Sequence, residues 1–391
     1  MDFTRVRRFL LDGGMVYLYA LFIAGYFLLP MAAGHRRLYY ILVLPAVVIL
    51  AGELWRFYRG NILALLILLY SAWMMSTLAW TEDFIAAEAF WTIWYALALL
   101  SFIFISGYLW VTHPERMDLL ARRCLWLAGA AALVSIVAWY LRNPFPSSRL
   151  EPLGVMHHQN KSACAYGVFL TLCTYYLFTS REPRQRYLYA ALSAIMLALV
   201  VFTQSRTALG AVCVALVVLL GYRALALVGV GLAVSWILLA GKPEEWWYRV
   251  ETFSFRPGIW EQVLAGMPGH WITGRGYLLD PHIDAYRWTF DHAHNGYLAT
   301  LRDGGLIGLT LLLAILAIAC QWAWQLFRQR GERIYLALLL YGMTCIFMDF
   351  DRLFVHPKEL WLFFWLPIAL VMVAHGSIAA DHPARYGRQL R

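Results

Sequence analysis

Charge is scarce in this chain. Asp, Glu, Lys and Arg make up 14% of its 391 residues and apolar types 62%, where soluble domains carry about 25% charged and about 45–50% apolar residues. That excludes the two or three soluble domains the length would otherwise suggest. No long polar stretch is present from which a separate soluble domain could be built. Paired cysteines are missing as well. Cys124, Cys164, Cys173, Cys213, Cys320 and Cys345 lie in or at the edge of apolar runs without CxxC spacing, which argues against a disulfide framework or a thiol site. There is no repeat of fixed period, and no half-to-half similarity of the kind that transporters show. A small-residue cleavage site is also lacking near the start. The basic residues of Met1–Gly14 precede an apolar run that continues to Met31, so this segment is predicted to be a retained first helix and not a signal peptide.

What the chain does have is apolar runs of bilayer length, about 20 residues for about 30 Å of hydrocarbon. They predict spans near 13–33, 38–54, 61–80, 85–109, 121–141, 162–179, 187–204, 206–222, 224–241, 303–326, 333–350 and 358–376. The expected fold is an all-α polytopic membrane protein of about twelve transmembrane helices. It forms one integral membrane domain, 1–391, in which 241–302 is a large, partly helical segment outside the bilayer.

Twelve spans put both termini on one side, and the arginines decide which. With the N-terminus inside, cytoplasmic segments carry Arg5, Arg7 and Arg8, Arg56 and Arg59, Arg116, Arg122 and Arg123, Arg181, Arg184 and Arg186, and Arg328, Arg330 and Arg333. The opposite short loops are poorer in Lys and Arg, with Arg36–Arg37 the exception. The positive-inside rule therefore predicts cytoplasmic termini. The net charge of +9 reads as attraction to anionic lipid, with no nucleic-acid partner.

This orientation gathers the unusual polar residues on the outer face. Gln204-Ser205-Arg206-Thr207 stands where the seventh span turns into the eighth. An arginine at a helix N-terminus adds a forked donor to free N–H groups and partial positive charge, a combination suited to phosphate oxygens. A lone arginine there can equally snorkel to the interface. Arg256 lies in the same outer compartment, and two arginines from separate segments would make a clamp. His294, in Asp291-His292-Ala293-His294-Asn295-Gly296-Tyr297, stands just before a membrane helix, where a neutral imidazole can accept a proton from a sugar hydroxyl. The alternatives are an interfacial histidine or metal binding through the His292–His294 pair with Asp291, His282 and Asp284 nearby. A metal site needs three or four converging ligands, so none is assigned and no cofactor is expected.

Secondary candidates for substrate contact are Asn160, Lys161, Arg275, Arg287, His292, Asn295 and Tyr297. Helix capping is an equal role for Asn160. Gly305-x-x-Gly308 reads as a close-packing pair. Asp349, Asp351 and Arg352, at an outer helix end, either line the same cavity or pair with each other.

At this point the chain resembles the O-antigen ligase and Wzy-type polymerase superfamily. His294-Asn295, nine residues, then Gly305-Leu306-Ile307-Gly308 matches the ligase pattern H-[N/S/Q]-x9-G-x-x-G. Ser205-Arg206-Thr207, Arg256 followed by Trp260, and Gly274–Gly276 look like further landmarks in the family's order. The resemblance implies an inverting, metal-independent glycosyltransferase of the membrane GT-C type. Its implied donor is O-antigen polysaccharide on undecaprenyl diphosphate, and its acceptor is a sugar hydroxyl of lipid A–core oligosaccharide. By resemblance, Arg206 and Arg256 match essential arginines that bind the diphosphate, and His294 matches the histidine that activates the acceptor. The implied setting is the bacterial inner membrane with a periplasm-facing site, among membrane lipids, as a monomer or weak oligomer. Two other readings stay open: a Wzy-type polymerase, which shares the donor, and a lipid-linked glycan transporter or flippase. The transporter reading expects charges near the bilayer midplane, whereas these residues cluster at one face.

Overall fold

A computed structural model describes residues 3–82, 84–224, 229, 253–278, 282–285 and 288–381. Among these residues, eight helices are long and apolar enough to cross a membrane: Phe3–Leu28, Ala32–Ile49, Ile62–Trp80, Ala86–Thr112, Pro114–Tyr140, Gln159–Thr179, Pro183–Phe202 and Gly296–Arg330. Three shorter apolar helices join them, Arg206–Leu220, Arg333–Met348 and Trp361–Gly376. The chain is thus an α-helical, multi-pass membrane protein. Apart from Ala224 and Gly229, the expected span 224–241 lies outside the described residues. The others appear with shifted ends: some are extended by polar residues that continue the helix past the hydrocarbon, and others, such as Arg206–Leu220 and Arg333–Met348, stop short of the expected 222 and 350. Pro114–Tyr140 thus opens with Pro at its first turn, seven residues before the run expected from 121.

Four helix ends meet at one end of the bundle, and this meeting positions the site. The Arg206–Leu220 helix packs on both Arg333–Met348 and Gln159–Thr179, and the Gly296 helix packs on Arg333–Met348. The Gln159, Arg206 and Gly296 helices begin at the end where Arg333–Met348 finishes. Over them lie a short helix, Arg256–Ala265, and a two-stranded antiparallel hairpin in which Ile283 pairs with Phe290 and Ala285 with Trp288. Phe255, Ile259, Val263, Ile283, Ala285, Ala293 and Ala299 form a small apolar core beneath this cover.

The Gly296–Arg330 helix is not continuous. It breaks at Gly305, whose φ of 65° and ψ of −164° are open to glycine. A break strands carbonyls on one side and N–H groups on the other, and buried groups of this kind need partners. The 271–276 loop and a tryptophan supply them. Arg275 N donates to Arg302 O at 2.7 Å, Gly276 N to Asp303 O at 3.1 Å and Leu306 N to Trp271 O at 2.7 Å. Trp73 Nε1 donates to Gly304 O at 2.8 Å. A Cβ at Gly305 would lie 2.2 Å from Ile272 O, and one at Gly274 would lie 2.4 Å from Asp303 O. The glycines expected to pack helices closely therefore do more at Gly305: they permit a helix break that a loop backbone fills. Gly305→Ala is expected to destabilise the fold by at least about 1–3 kcal/mol from backbone strain alone. Thermal unfolding in detergent, read beside the milder Gly308→Ala, checks this.

Just before the break, Arg302 and Asp303 are 3% and 1% exposed and pair at 2.7 Å. Arg302 reaches Asp351 at 3.3 Å, and Asp351 accepts from Ala293 N at 3.4 Å. The break is thereby tied, through buried charge, to the backbone beside His294.

Candidate active site

His294 and Asp349 form the centre of the site. The imidazole Nδ1 stands 2.9 Å from Asp349 Oδ1. Asp349 is the first residue past the end of the Arg333–Met348 helix. Burial pushes its carboxyl up, but the His294 hydrogen bond and the charges of His294, Arg256 and His292 outweigh this and hold it at about 2, below the ordinary 3.8. An ionised carboxylate only accepts hydrogen bonds, so Nδ1 carries the hydrogen. In its neutral form His294 directs the lone pair of Nε2 away from Asp349, which is the arrangement of a general base.

Asp349 is itself held from the other side. Asn160 Nδ2 donates to its Oδ2 at 2.8 Å, and Asn160 Oδ1 accepts from the Arg149 guanidinium. Arg149 Nε in turn donates to Thr203 O at 2.7 Å, three residues before Arg206. Asn160, expected as a substrate contact or a cap, links the turn at Thr203 to the imidazole through Asp349, while His158 takes the cap position.

Both arginines reach the same place. Arg206 opens its helix behind the Ser205 cap, whose hydroxyl accepts from Ala208 N. Its guanidinium donates to Ser254 Oγ, two residues before Arg256. Arg256 Nε donates to Met348 O at 2.6 Å, beside Asp349. Burial lowers the Arg256 pKa and the Asp349 charge draws it back up, yet the side chain makes no ion pair among the described residues. Its two terminal nitrogens make no hydrogen bond among the described residues.

The backbone marks the same four residues. Among the described residues, the non-glycine positions with positive φ are Gln204, Ser254, Phe255, His294 and Phe350. Each is His294 itself or lies within two residues of Arg206, Arg256 or Asp349. Such conformations cost of order 1–3 kcal/mol and cluster where a chain must aim a side chain. His294 is pinned at φ 48° by its neighbours: its N–H donates to His292 Nδ1 at 3.2 Å.

The remaining candidates divide between site and scaffold. The His292 ring lies 3.6 Å from that of His294, and burial and the neighbouring His294 lower its pKa. Lys161 follows Asn160 in the first turn of the Gln159 helix. Asn295 is buried and caps the Gly296 helix, accepting from Tyr297 N and Leu298 N. Tyr297 packs near Phe347 and reaches Met343 O at 3.4 Å. Arg275 is engaged with Glu82 at 3.0 Å. Arg287 lies outside the described residues. No group of three or more His, Cys, Asp or Glu among the described residues is placed to hold a metal ion. Arg149 was not a candidate from sequence. Asp349 is expected from sequence to line the cavity or to pair with Asp351 and Arg352; its link to His294, 55 residues away, is not legible there.

Exchange of Asp349 for Asn tests this link. His294 and Asn160 donate to different carboxylate oxygens, so the amide N–H₂ of asparagine would face one of the two donors. With the tautomer no longer fixed, kcat is expected to fall by about 10²–10⁴-fold, the range for a general base, with KM little changed.

These features define a class: a polytopic α-helical membrane protein with a histidine–carboxylate pair and two converging arginines at one end of its bundle. No family model matches the chain. Over 350 residues it is 31% identical to an O-antigen ligase of Pseudomonas aeruginosa, a match covering 86% of this chain and 84% of that protein. The chain belongs to the O-antigen ligase family.

Proposed function

We propose that this protein is an O-antigen ligase that moves O-antigen polysaccharide from undecaprenyl diphosphate to a sugar hydroxyl of lipid A–core. The observation that carries this reading is the convergence of Arg206, Arg256 and the His294–Asp349 pair at one end of the bundle. Arg256 and Arg206 bind the donor diphosphate, for which forked guanidinium donors are suited. His294 Nε2 takes the proton from the acceptor hydroxyl as its oxygen attacks the anomeric carbon. The bond from that carbon to the diphosphate breaks, and its electron pair leaves with the phosphate. Attack opposite the leaving group inverts the anomeric centre. The arginines stabilise the charge that builds on the leaving diphosphate, so the reaction as written needs no metal or nucleotide.

In this reading the enzyme is of the GT-C type and lies in the bacterial inner membrane. Its termini are cytoplasmic and 241–302 faces the periplasm, where both lipid-linked substrates are met.

Incubation of purified protein with the lipid-linked glycan tests the assignment, with and without lipid A–core. A glycan ladder on lipid A–core supports ligation. Lengthening of the lipid-linked glycan itself overturns the acceptor assignment in favour of a polymerase.

A further inference from the structure

At the end of the bundle away from His294, a cleft of about 540 Å³ opens among the helix connections near 112–114, 179–183 and 330–333. Its inner wall is shared with an apolar recess of about 100 Å³ that runs between helices toward Phe169, Leu362 and Leu366. Trp110, Leu172, Tyr176, Leu338 and Leu370 line both, so the recess lies directly behind the cleft. A polar mouth over an apolar throat is the shape of a site for an amphiphile.

The charges at the mouth narrow the choice. Arg122 and Asp118 satisfy each other at 2.7 Å, with Tyr189 and Tyr176 completing their hydrogen bonds. Glu182 accepts from Gln185 at 2.8 Å. Glu332 and Arg181 remain, and among the described residues neither side chain makes an ion pair or hydrogen bond. Glu332 is half-buried, burial raises its pKa against the opposing charge of Arg330, and Tyr175 and Tyr335 line the same mouth. A partly desolvated carboxylate beside aromatic faces is matched by an ammonium. An exposed arginine at the rim matches a phosphate.

We infer that the cleft seats a phospholipid with a phosphoethanolamine headgroup. Its ammonium meets Glu332 between the tyrosines, its phosphate meets Arg181, and an acyl chain enters the recess. The mouth discriminates against an anionic headgroup, which brings no cation to Glu332. Phosphocholine brings a cation that the tyrosines accept but no N–H to donate, so the preference over it rests on the hydrogen bond to Glu332.

Native mass spectrometry of the delipidated full-length protein, titrated with phosphatidylethanolamine, phosphatidylglycerol or phosphatidylcholine of the same chains, tests this. Phosphatidylethanolamine is expected to bind about tenfold or more tightly than the other two, as one charged hydrogen bond implies. Glu332→Gln should erase that preference, while Glu115→Gln, outside the cleft, should keep it. The thermal midpoint in detergent should rise with phosphatidylethanolamine for wild type and not for Glu332→Gln. Equal binding of the three lipids, or an undiminished preference in Glu332→Gln, overturns the inference.

Discussion

Replacing His294 with alanine is expected to slow glycan transfer by about 10²–10⁴-fold, the contribution of a positioned general base. The protein should still fold and insert. His294 is part-exposed, with 25% of its side chain accessible, and the apolar core that holds the helices lies elsewhere. Loss of the imidazole leaves Asp349 with Asn160 and the nearby Arg256 charge, so the carboxylate is not stranded. The expected signature is a fall in kcat with donor binding retained. Acid adds a second test with a defined sign. The Asp349 carboxyl sits at about 2 in the fold against an ordinary 3.8. Its stabilising pair with His294 is therefore fully present above 3.8 and is lost as pH falls toward 2. Thermal unfolding across that window should show wild type losing stability that His294→Ala never had.

The second large effect is expected at Arg256. Arg256→Lys keeps the positive charge yet should cost about 10²–10³-fold in rate, the loss typical of one preorganised donor. Two features of the geometry explain why lysine is not a substitute. The Nε–H that donates to Met348 O fixes the direction of the guanidinium, and lysine has no counterpart to it. The two terminal nitrogens form a planar fork that a point-charge ammonium cannot reproduce. Arg206→Ala should be similarly damaging, because the Arg206–Ser254 contact also joins the two arginine-bearing segments. Steady-state rates with each variant, alongside donor-binding measurements, separate a lost charge from a lost geometry.

The sequence carried the local parts of this site and missed the distant ones. Spans were legible because apolar runs of bilayer length are a one-dimensional signal, and eleven of the twelve expected have a counterpart among the described helices. The spacing from His294 to Gly305 was legible for the same reason: both residues lie on one short stretch. What the glycines do was not. A close-packing pair and a helix break filled by the 271–276 loop look alike in sequence, since the distinction lies in a loop thirty residues away. Arg149 and Asp349 were hidden for a related reason. Each is an ordinary polar residue at a helix end or in a loop, and only the meeting of four helix ends brings them to Asn160 and His294. Asn295 and Arg275 show the converse. Sequence offered them to the substrate without showing that the fold also uses one as a cap and the other in an ion pair with Glu82.

The central claim is that His294, oriented by Asp349, activates the acceptor while Arg206 and Arg256 hold the departing diphosphate. It is met most directly by a reconstituted reaction of purified protein, undecaprenyl diphosphate-linked O-antigen and lipid A–core, comparing wild type with His294→Ala by gel shift of the lipopolysaccharide. The account predicts a glycan ladder with wild type and none with the variant over the same time. A ladder of equal intensity from His294→Ala would contradict it.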